Sequence, residues 1–437
     1  MKLRLLPLTL ALTAALAGTA QAQSLFQLYE AARGHDASYK AAQAQAQASR
    51  ARAEQARALL RPTVGLGANL SETDLDNRTA NRDFNYGTRS ATLSASHPLY
   101  RPANIASRDQ GLRQLELAEA QLQAAEQDLM VRVSQAYFDV LTAEAALTSV
   151  KAQKTAVAEQ LAAAKRNFEV GTATITDTRE AQARFDLVTA QEIAAENDLQ
   201  VKKLALDQTT GTRNASPHPL QAQASLSLTG ADMDSWVQQA VERNPSVRQA
   251  RTALDIARLE VDKARAGLRP TVDLTAGYNL TRYRNPIPGA QSNTNAATVG
   301  IALNMPIYTG GATDQRVQET VALEEKARND LEAAQRAVTQ ATRSAFLGVQ
   351  SGLSQVNALK AAEVSSQSAL DANKLGYQVG VRINIDVLNS QSQLFQTQRD
   401  LARARHEVLL GQLRLRQASG TLQAADLQAV NGLLQPR

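Results

Sequence analysis

The string Leu60-Arg61-Pro62-Thr63-Val64 recurs letter for letter as Leu268-Arg269-Pro270-Thr271-Val272. The two copies stay in step well beyond it. Pro98-Leu99-Tyr100 returns as Pro306-Ile307-Tyr308, and Asp36-Ala37 sits where Asn244-Pro245 sits. Phe168-Glu169-Val170-Gly171, with Ile175 and Asp177, matches Tyr377-Gln378-Val379-Gly380, with Ile383, Ile385 and Asp386; Gly211 then pairs with Gly420. A period of roughly 200 residues is too long for a solenoid unit, which runs about 20–50 residues. Each half is therefore expected to be a whole structural module, and the pair to have pseudo-twofold symmetry. The expected division is residues 1–22 as a signal peptide, 23–220 as a first structural repeat and 221–437 as a second of the same plan.

The first residues point to export. Lys2 and Arg4 form a basic n-region, residues 5–16 an apolar h-region, and Ala20-Gln21-Ala22 a cleavage site of the A-x-A type. The mature chain is expected to begin at Gln23. No later apolar run reaches the 18 residues a membrane helix needs. The chain has no cysteine, which excludes disulfides, a thiol nucleophile, a Cys-based metal site and a lipidated N-terminal Cys. Two of the cations behind its net charge of +5 belong to the signal peptide, and no basic patch interleaves with aromatics, so no nucleic acid is expected as a partner. His35, His97, His218 and His406 are scattered without metal-ligand spacing. Gly65-Leu66-Gly67 lacks the third glycine of a dinucleotide loop. No cofactor, metal or catalytic residue is expected, and the chain does not read as an enzyme.

Each half starts with a helix-forming stretch, residues 24–60 and 233–268, whose main interior breakers are Gly34 and Pro245. The Leu-Arg-Pro triplet ends it, because Pro donates no hydrogen bond and biases its predecessor toward extended geometry. Alternating segments follow. Val64, Leu66, Ala68 and Leu70 oppose Thr63, Gly65, Gly67 and Asn69; in the twin, Val272, Leu274, Ala276, Tyr278 and Leu280 oppose Thr271, Asp273, Thr275, Gly277 and Asn279. Polar loops, 71–87 and 281–295 with Pro286, Pro288 and Gly289, lead into returning strands. Ala91, Leu93, Ala95 and Leu99 mark one of these, and Val299, Ile301, Leu303, Met305 and Ile307 the other, with Pro98 and Pro306 at the strand ends. About ten residues per strand, apolar on one face and polar on the other, is the pattern of a membrane strand lining an aqueous lumen. Four strands cannot close a barrel, for which about eight is the practical minimum. Open edges are forbidden in lipid, so such a barrel must be shared between chains.

A run without proline then extends from Pro102 to about Phe168, some 66 residues or roughly 100 Å of helix. Its twin runs over 312–377. Both end at Val-Gly turns whose Gly171 and Gly380 suit the position after a helix. Shorter helices return over 177–210 and 386–419, and Asp177 with Glu180 resembles a capping box. Helices of this length, rich in Ala and Gln, read as coiled-coil elements that do not fold as isolated monomers.

This plan resembles the TolC family of bacterial outer-membrane efflux and secretion channels, over essentially the whole mature chain. The resemblance rests on the Leu-Arg-Pro-Thr junctions, on 306–317 (PIYTGGATDQRV), on the turns FEVGTATITD and YQVGVRINIDVL, and on 420–434 (GTLQAADLQAVNGLL). It implies an α+β membrane protein: a homotrimeric twelve-stranded transmembrane β-barrel continued by a long periplasmic α-helical barrel, each protomer an internal tandem duplication. It implies an outer-membrane location in contact with outer-membrane lipid, reaching into the periplasm. The implied function is a passive exit duct for multidrug efflux or type I protein secretion. The implied partners are a periplasmic adaptor (membrane fusion) protein and an inner-membrane transporter, either an ABC pump or a proton-driven one. A periplasmic coiled-coil adaptor or scaffold is the alternative, but it leaves four amphipathic strands unexplained.

The resemblance also implies site residues. An entrance latch would join Tyr377 and Arg382 near one tip turn, Gly380, to Thr176 and Asp177 near the other, Gly171. Exposed links of that kind contribute about 0.2–1 kcal/mol each. A constriction ring would lie at Asp386 and Asn389, with Asn389 standing where the family pattern has a second Asp.

Overall fold

The computed structural model describes residues 23–77, 82–221, 224, 226–227, 232–284 and 293–435. The expected signal peptide, and Pro286, Pro288 and Gly289 of the second polar loop, lie outside the described residues. The chain is mostly helical. In order it forms α1 (Leu25–His35), α2 (Ala37–Ala58), β1 (Thr63–Asn77), β2 (Arg82–Tyr100), α3 (Pro102–Glu169) and α4 (Ile175–Thr210). The same series then returns as α5 (Met233–Arg243), α6 (Pro245–Arg265), β3 (Thr271–Arg284), β4 (Asn293–Asn304), α7 (Ala312–Gln378) and α8 (Asn384–Ala418), followed by α9 (Ala424–Asn431). Two compact units collect segments from both halves. One takes the described residues of Met1–Ala42, Leu122–Val247 and Gln335–Arg437; the other takes those of Gln43–Gln121 and Arg248–Ala334.

The opening helix of each half is two helices, not one. Gly34 lies inside α1; the breaks fall at Asp36 (φ −60°, ψ 121°) and, immediately before Pro245, at Asn244 (φ −62°, ψ 129°). Each side chain captures the next helix: Asp36 Oδ1 accepts from the Tyr39 amide at 2.7 Å, and Asn244 Oδ1 from the Ser246 amide at 2.8 Å. Local side-chain bonding of this kind competes with helix continuation. Arg132 also bonds Asp36 at 2.9 Å and holds its carboxyl below the usual range.

The unit built on 43–121 and 248–334 carries the sheet. Its four strands run β1-β2-β3-β4, all neighbours antiparallel. At 15, 19, 14 and 12 residues they reach into the expected polar loops, but β4 ends at Asn304, short of the expected Met305 and Ile307. The ladder is a backbone property, so it continues through polar stretches where the apolar alternation has ended. Pro98 lies inside β2, at a register shift between Pro98 and Tyr100, where proline's missing donor is tolerated. The registers align side chains in rows. Val64, Ala95, Ala276 and Val299 form one row, and Leu66, Leu93, Tyr278 and Ala297 another on the same face. This face is bare: Leu66 is 80% and Val299 81% exposed. Beneath the sheet α3 approaches α2 at Gly111, where an added Cβ would stand 2.6 Å from that of Ala56.

The other unit holds the main core. Leu25, Leu28, Tyr29 and Ala32 of α1 pack with Leu129, Val133, Tyr137 and Val140 of α3, with Leu206 of α4, and with Leu409, Leu413 and Leu427. Towards the far ends of the long helices the core thins to Val150, Val157, Leu161, Ala164, Ala181, Val188 and Leu388. Thr342, Val349 and Val356 are buried along α7 at spacings of seven, the repeat of a left-handed coiled coil. Gly420, at φ +71°, lets the end of α8 lie against the backbone of Arg243 and Asn244, atoms that a Cβ would overlap.

His406 is buried beside this core. Its Nδ1 lies 2.8 Å from Thr142 Oγ1, and its ring stacks on Phe138 at 5.8 Å. Burial, with Arg405 adding to it, pushes the imidazole down from 6.5 to about 4. The unfolded chain binds a proton below pH 6.5 that the folded chain takes up only near pH 4. Stability present above pH 6.5 is therefore lost as pH falls toward 4, by about 2–3 kcal/mol. His406→Gln is expected to reduce the drop in stability between pH 7.5 and pH 4.5 by about 2 kcal/mol. Melting of detergent-extracted protein at the two pH values checks this, and an equal drop in both proteins would contradict it.

Candidate functional site

The site lies in the helical unit, where the α3–α4 and α7–α8 hairpins turn. Gly171 at φ +80° and Gly380 at φ +79° allow each long helix to end abruptly, a backbone geometry that costs a side-chain-bearing residue about 1–2 kcal/mol. The Thr172 amide returns to the Asn167 carbonyl at 2.8 Å, and the Val381 amide to that of Gly376 at 2.9 Å.

Asp177 does not begin its helix. Thr174 is the N-cap and Asp177 the third helical residue, so the capping box is Thr174–Asp177, not Asp177–Glu180. Thr174 Oγ1 accepts from the Asp177 amide at 3.2 Å, and Asp177 Oδ2 accepts from the Thr174 amide at 2.9 Å. The carboxylate thus anchors the turn and keeps its other oxygen for a further donor. In the second half Ile383 occupies the cap position without a side-chain bond, and Asp386 is the acid of the first turn.

Asp177, Tyr377 and Arg382 line one cleft together with Asn167 and Asn384. Thr176 stands exposed beside it. Among the described residues, the latch side chains of one chain bond other groups. The Tyr377 hydroxyl accepts from Asn167 Nδ2 at 3.2 Å. Arg382 approaches Asp386 at 3.7 Å, one helical turn along, and remains more than half exposed. Gly376 makes room for the Arg382 stem, since a Cβ there would stand 2.6 Å from Arg382 Cγ. Asn389 accepts from Arg184 of α4 at 2.9 Å. Asp386 and Asn389 each therefore face a guanidinium. Among the described residues, no group of His, Asp and Glu is placed to hold a metal ion. No helix there is long and apolar enough to cross a membrane.

The family profile of outer membrane efflux proteins matches the chain twice, over residues 28–212 and 236–421. The chain belongs to this family. It is 33% identical to the outer membrane protein TolC of Vibrio cholerae over 435 residues, 98% of each chain. It is 29% identical to the proteases secretion protein PrtF of Dickeya chrysanthemi, over 94% of this chain and 91% of that one. The crystal structure of the outer membrane protein VceC from Vibrio cholerae shares its fold, with a TM-score of 0.77 over 91% of this chain and 96% of that one at 22% identity.

Sequence reasoning missed a buried residue that helps tie the two hairpins of this efflux-family chain together. Asn384 is fully buried; it accepts from Gln160 of α3, and its Nδ2 donates to the Asp177 carbonyl at 3.4 Å. Its only signal is a polar residue between Ile383 and Ile385. Asn384→Ala removes both bonds from the half-buried Gln160 amide and Asp177 carbonyl, at a cost of about 1 kcal/mol. The expected result is faster hydrogen exchange at the amides of both tip turns, with the main core unchanged. Unaltered tip exchange would show that the hairpins are held elsewhere.

Proposed function

We propose that this chain is one third of a channel that carries solutes out through the bacterial outer membrane. The supporting observation is a single sheet with a bare apolar face and two unpaired edges. Positions 272–280 of β3 span about 27 Å along the strand at 3.4 Å per residue. Tilted by about 40°, that is about 20 Å of height, close to the apolar band of membrane barrels. Joining β4 of one copy to β1 of the next removes every edge. Three copies, the number the family resemblance implies, give twelve strands, and the helices below would continue them as a periplasmic tunnel. The matching element order of the two halves fits an internal tandem duplication, with one repeat in 23–220 and the other in 221–437.

The duct itself is passive. Energy comes from an inner-membrane transporter, ABC or proton-driven, coupled through a periplasmic adaptor. The relative PrtF is named for protease secretion and BepC of Brucella suis for efflux, and both cargo classes fit a wide, non-catalytic conduit.

The entrance lies at the hairpin tips. Arg382 presents its guanidinium fork to Asp177 and Thr176 of the neighbouring turn, where the second Asp177 oxygen accepts it. Its exposure and its long contact with Asp386 leave it available for that exchange. Tyr377 steadies the same tip. Asp386 and Asn389 form the narrowest ring, whose charge is half that of a double Asp ring. Individual links are worth about 0.2–1 kcal/mol, so three sets are weak enough for an adaptor to open.

Arg382→Ser with Tyr377→Phe is expected to raise single-channel conductance in planar bilayers above either single change, with the trimer intact on unheated detergent gels. Asp386→Asn is expected to weaken cation selectivity, read as the reversal potential in a salt gradient. Equal conductance in wild type and double variant would remove the latch. A soluble periplasmic monomer would remove the channel.

A further inference from the structure

Two arginines stand on the apolar face at its outer rim. The row beyond Leu280 aligns Leu70, Arg89, Arg282 and Asn293 across the four strands. Arg89 and Arg282 are directly opposite one another on neighbouring strands, and both are exposed. Side chains so placed have Cβ atoms about 5 Å apart, and like charges there repel.

The next row outward treats its cation differently. Arg284 crosses over Gly87, where an added Cβ would meet its stem at 3.5 Å, and pairs with Glu72 at 2.8 Å. That row is neutral within the sheet. The Arg89–Arg282 row is not: among the described residues no carboxylate pairs with either guanidinium. Arg282 Nη1 donates to the Thr281 carbonyl at 3.0 Å, to the Thr294 carbonyl at 3.2 Å and to Asn295 Oδ1 at 2.8 Å, all acceptors without charge. Below the pair the same face carries Ala68, Ala91 and Leu280, with Asn295 at the β4 end, and then the apolar row Leu66, Leu93, Tyr278 and Ala297. A cation pair at the rim and an apolar wall beneath it match one kind of molecule: an anionic head above hydrocarbon chains.

Resting on the membrane-barrel reading, we infer that Arg89 and Arg282 form a binding site for the phosphate of a phosphorylated lipid of the outer leaflet, whose acyl chains lie along the Leu66–Leu93–Tyr278 row. A phosphate between the two guanidinium groups converts their repulsion into paired charge-assisted bonds. Glu72 keeps Arg284 out of the site. Three chains would give three such sites around the barrel.

The test uses the full-length trimer inserted in vesicles and then extracted, with a bis-phosphorylated lipid A-type glycolipid as probe. Retention is counted by native mass spectrometry. Arg89→Gln with Arg282→Gln is expected to lower apparent affinity at least tenfold, since each cation near a lipid surface is worth several-fold. Arg284→Gln, whose partner is Glu72, is expected to change it less than threefold. The double Lys variant, which keeps the charge, is expected to retain most of the binding. The dephosphorylated glycolipid is expected to bind no better to wild type than to the double Gln variant, and inorganic phosphate is expected not to compete at equal concentration. Normal insertion of the double Gln variant with undiminished retention of the phosphorylated lipid would overturn the site alone. Equal retention of the dephosphorylated lipid would do the same. Failure of the wild type to insert would overturn both the site and the barrel.

Discussion

Unpaired strand edges govern this structure. Alternate residues of β1 and β4 direct backbone groups to a side where no strand among the described residues pairs with them. In water those groups would be hydrated, but the apolar face of the same sheet is too bare to stay in water. In hydrocarbon an unsatisfied N–H or C=O costs several kcal/mol. Copies that close the ladder upon one another, as proposed above, would meet both demands at once.

The helical unit answers a different demand. Its core is dense where α1, α3, α4, α8 and α9 meet around Leu129, Tyr137 and Leu409, and thin toward the tips. The turns are held by caps, by Asn384 and by exposed polar pairs. A region with few buried apolar contacts opens locally at low cost while the rest stays folded.

Much of this was legible in the sequence. The repeated Leu-Arg-Pro-Thr string, the period-two strands and the breaker-free long helices led to the observed element order, because each rests on a local rule. The break at Asn244 was signalled by the Pro245 that follows it, whereas the one at Asp36 was not legible, since it depends on a side chain capturing an amide in preference to helix continuation. The capping box was misplaced by three residues because Asp177 and Glu180 satisfy the pattern as well as Thr174 and Asp177 do. The strands ran past their alternation because backbone pairing does not need it. Asp177, Tyr377 and Arg382, which the repeat places at matching turns, line one cleft. Asn384, Asn167 and Arg184 were not foreseen, because their partners are distant in sequence and their residue types are common on helix surfaces.

The central claim is that β4 of one chain pairs with β1 of the next and that three chains close the ring. Thr298 on β4 shares the polar face with Gly65, Gly67 and Asn69 on β1, and the chain contains no cysteine to interfere. Thr298→Cys combined in turn with Gly65→Cys, Gly67→Cys or Asn69→Cys, oxidised in intact outer membranes, reads the pairing on denaturing gels. One register should yield covalent species that end at three chains. No cross-link in any register, or a ladder extending beyond three, would contradict the account.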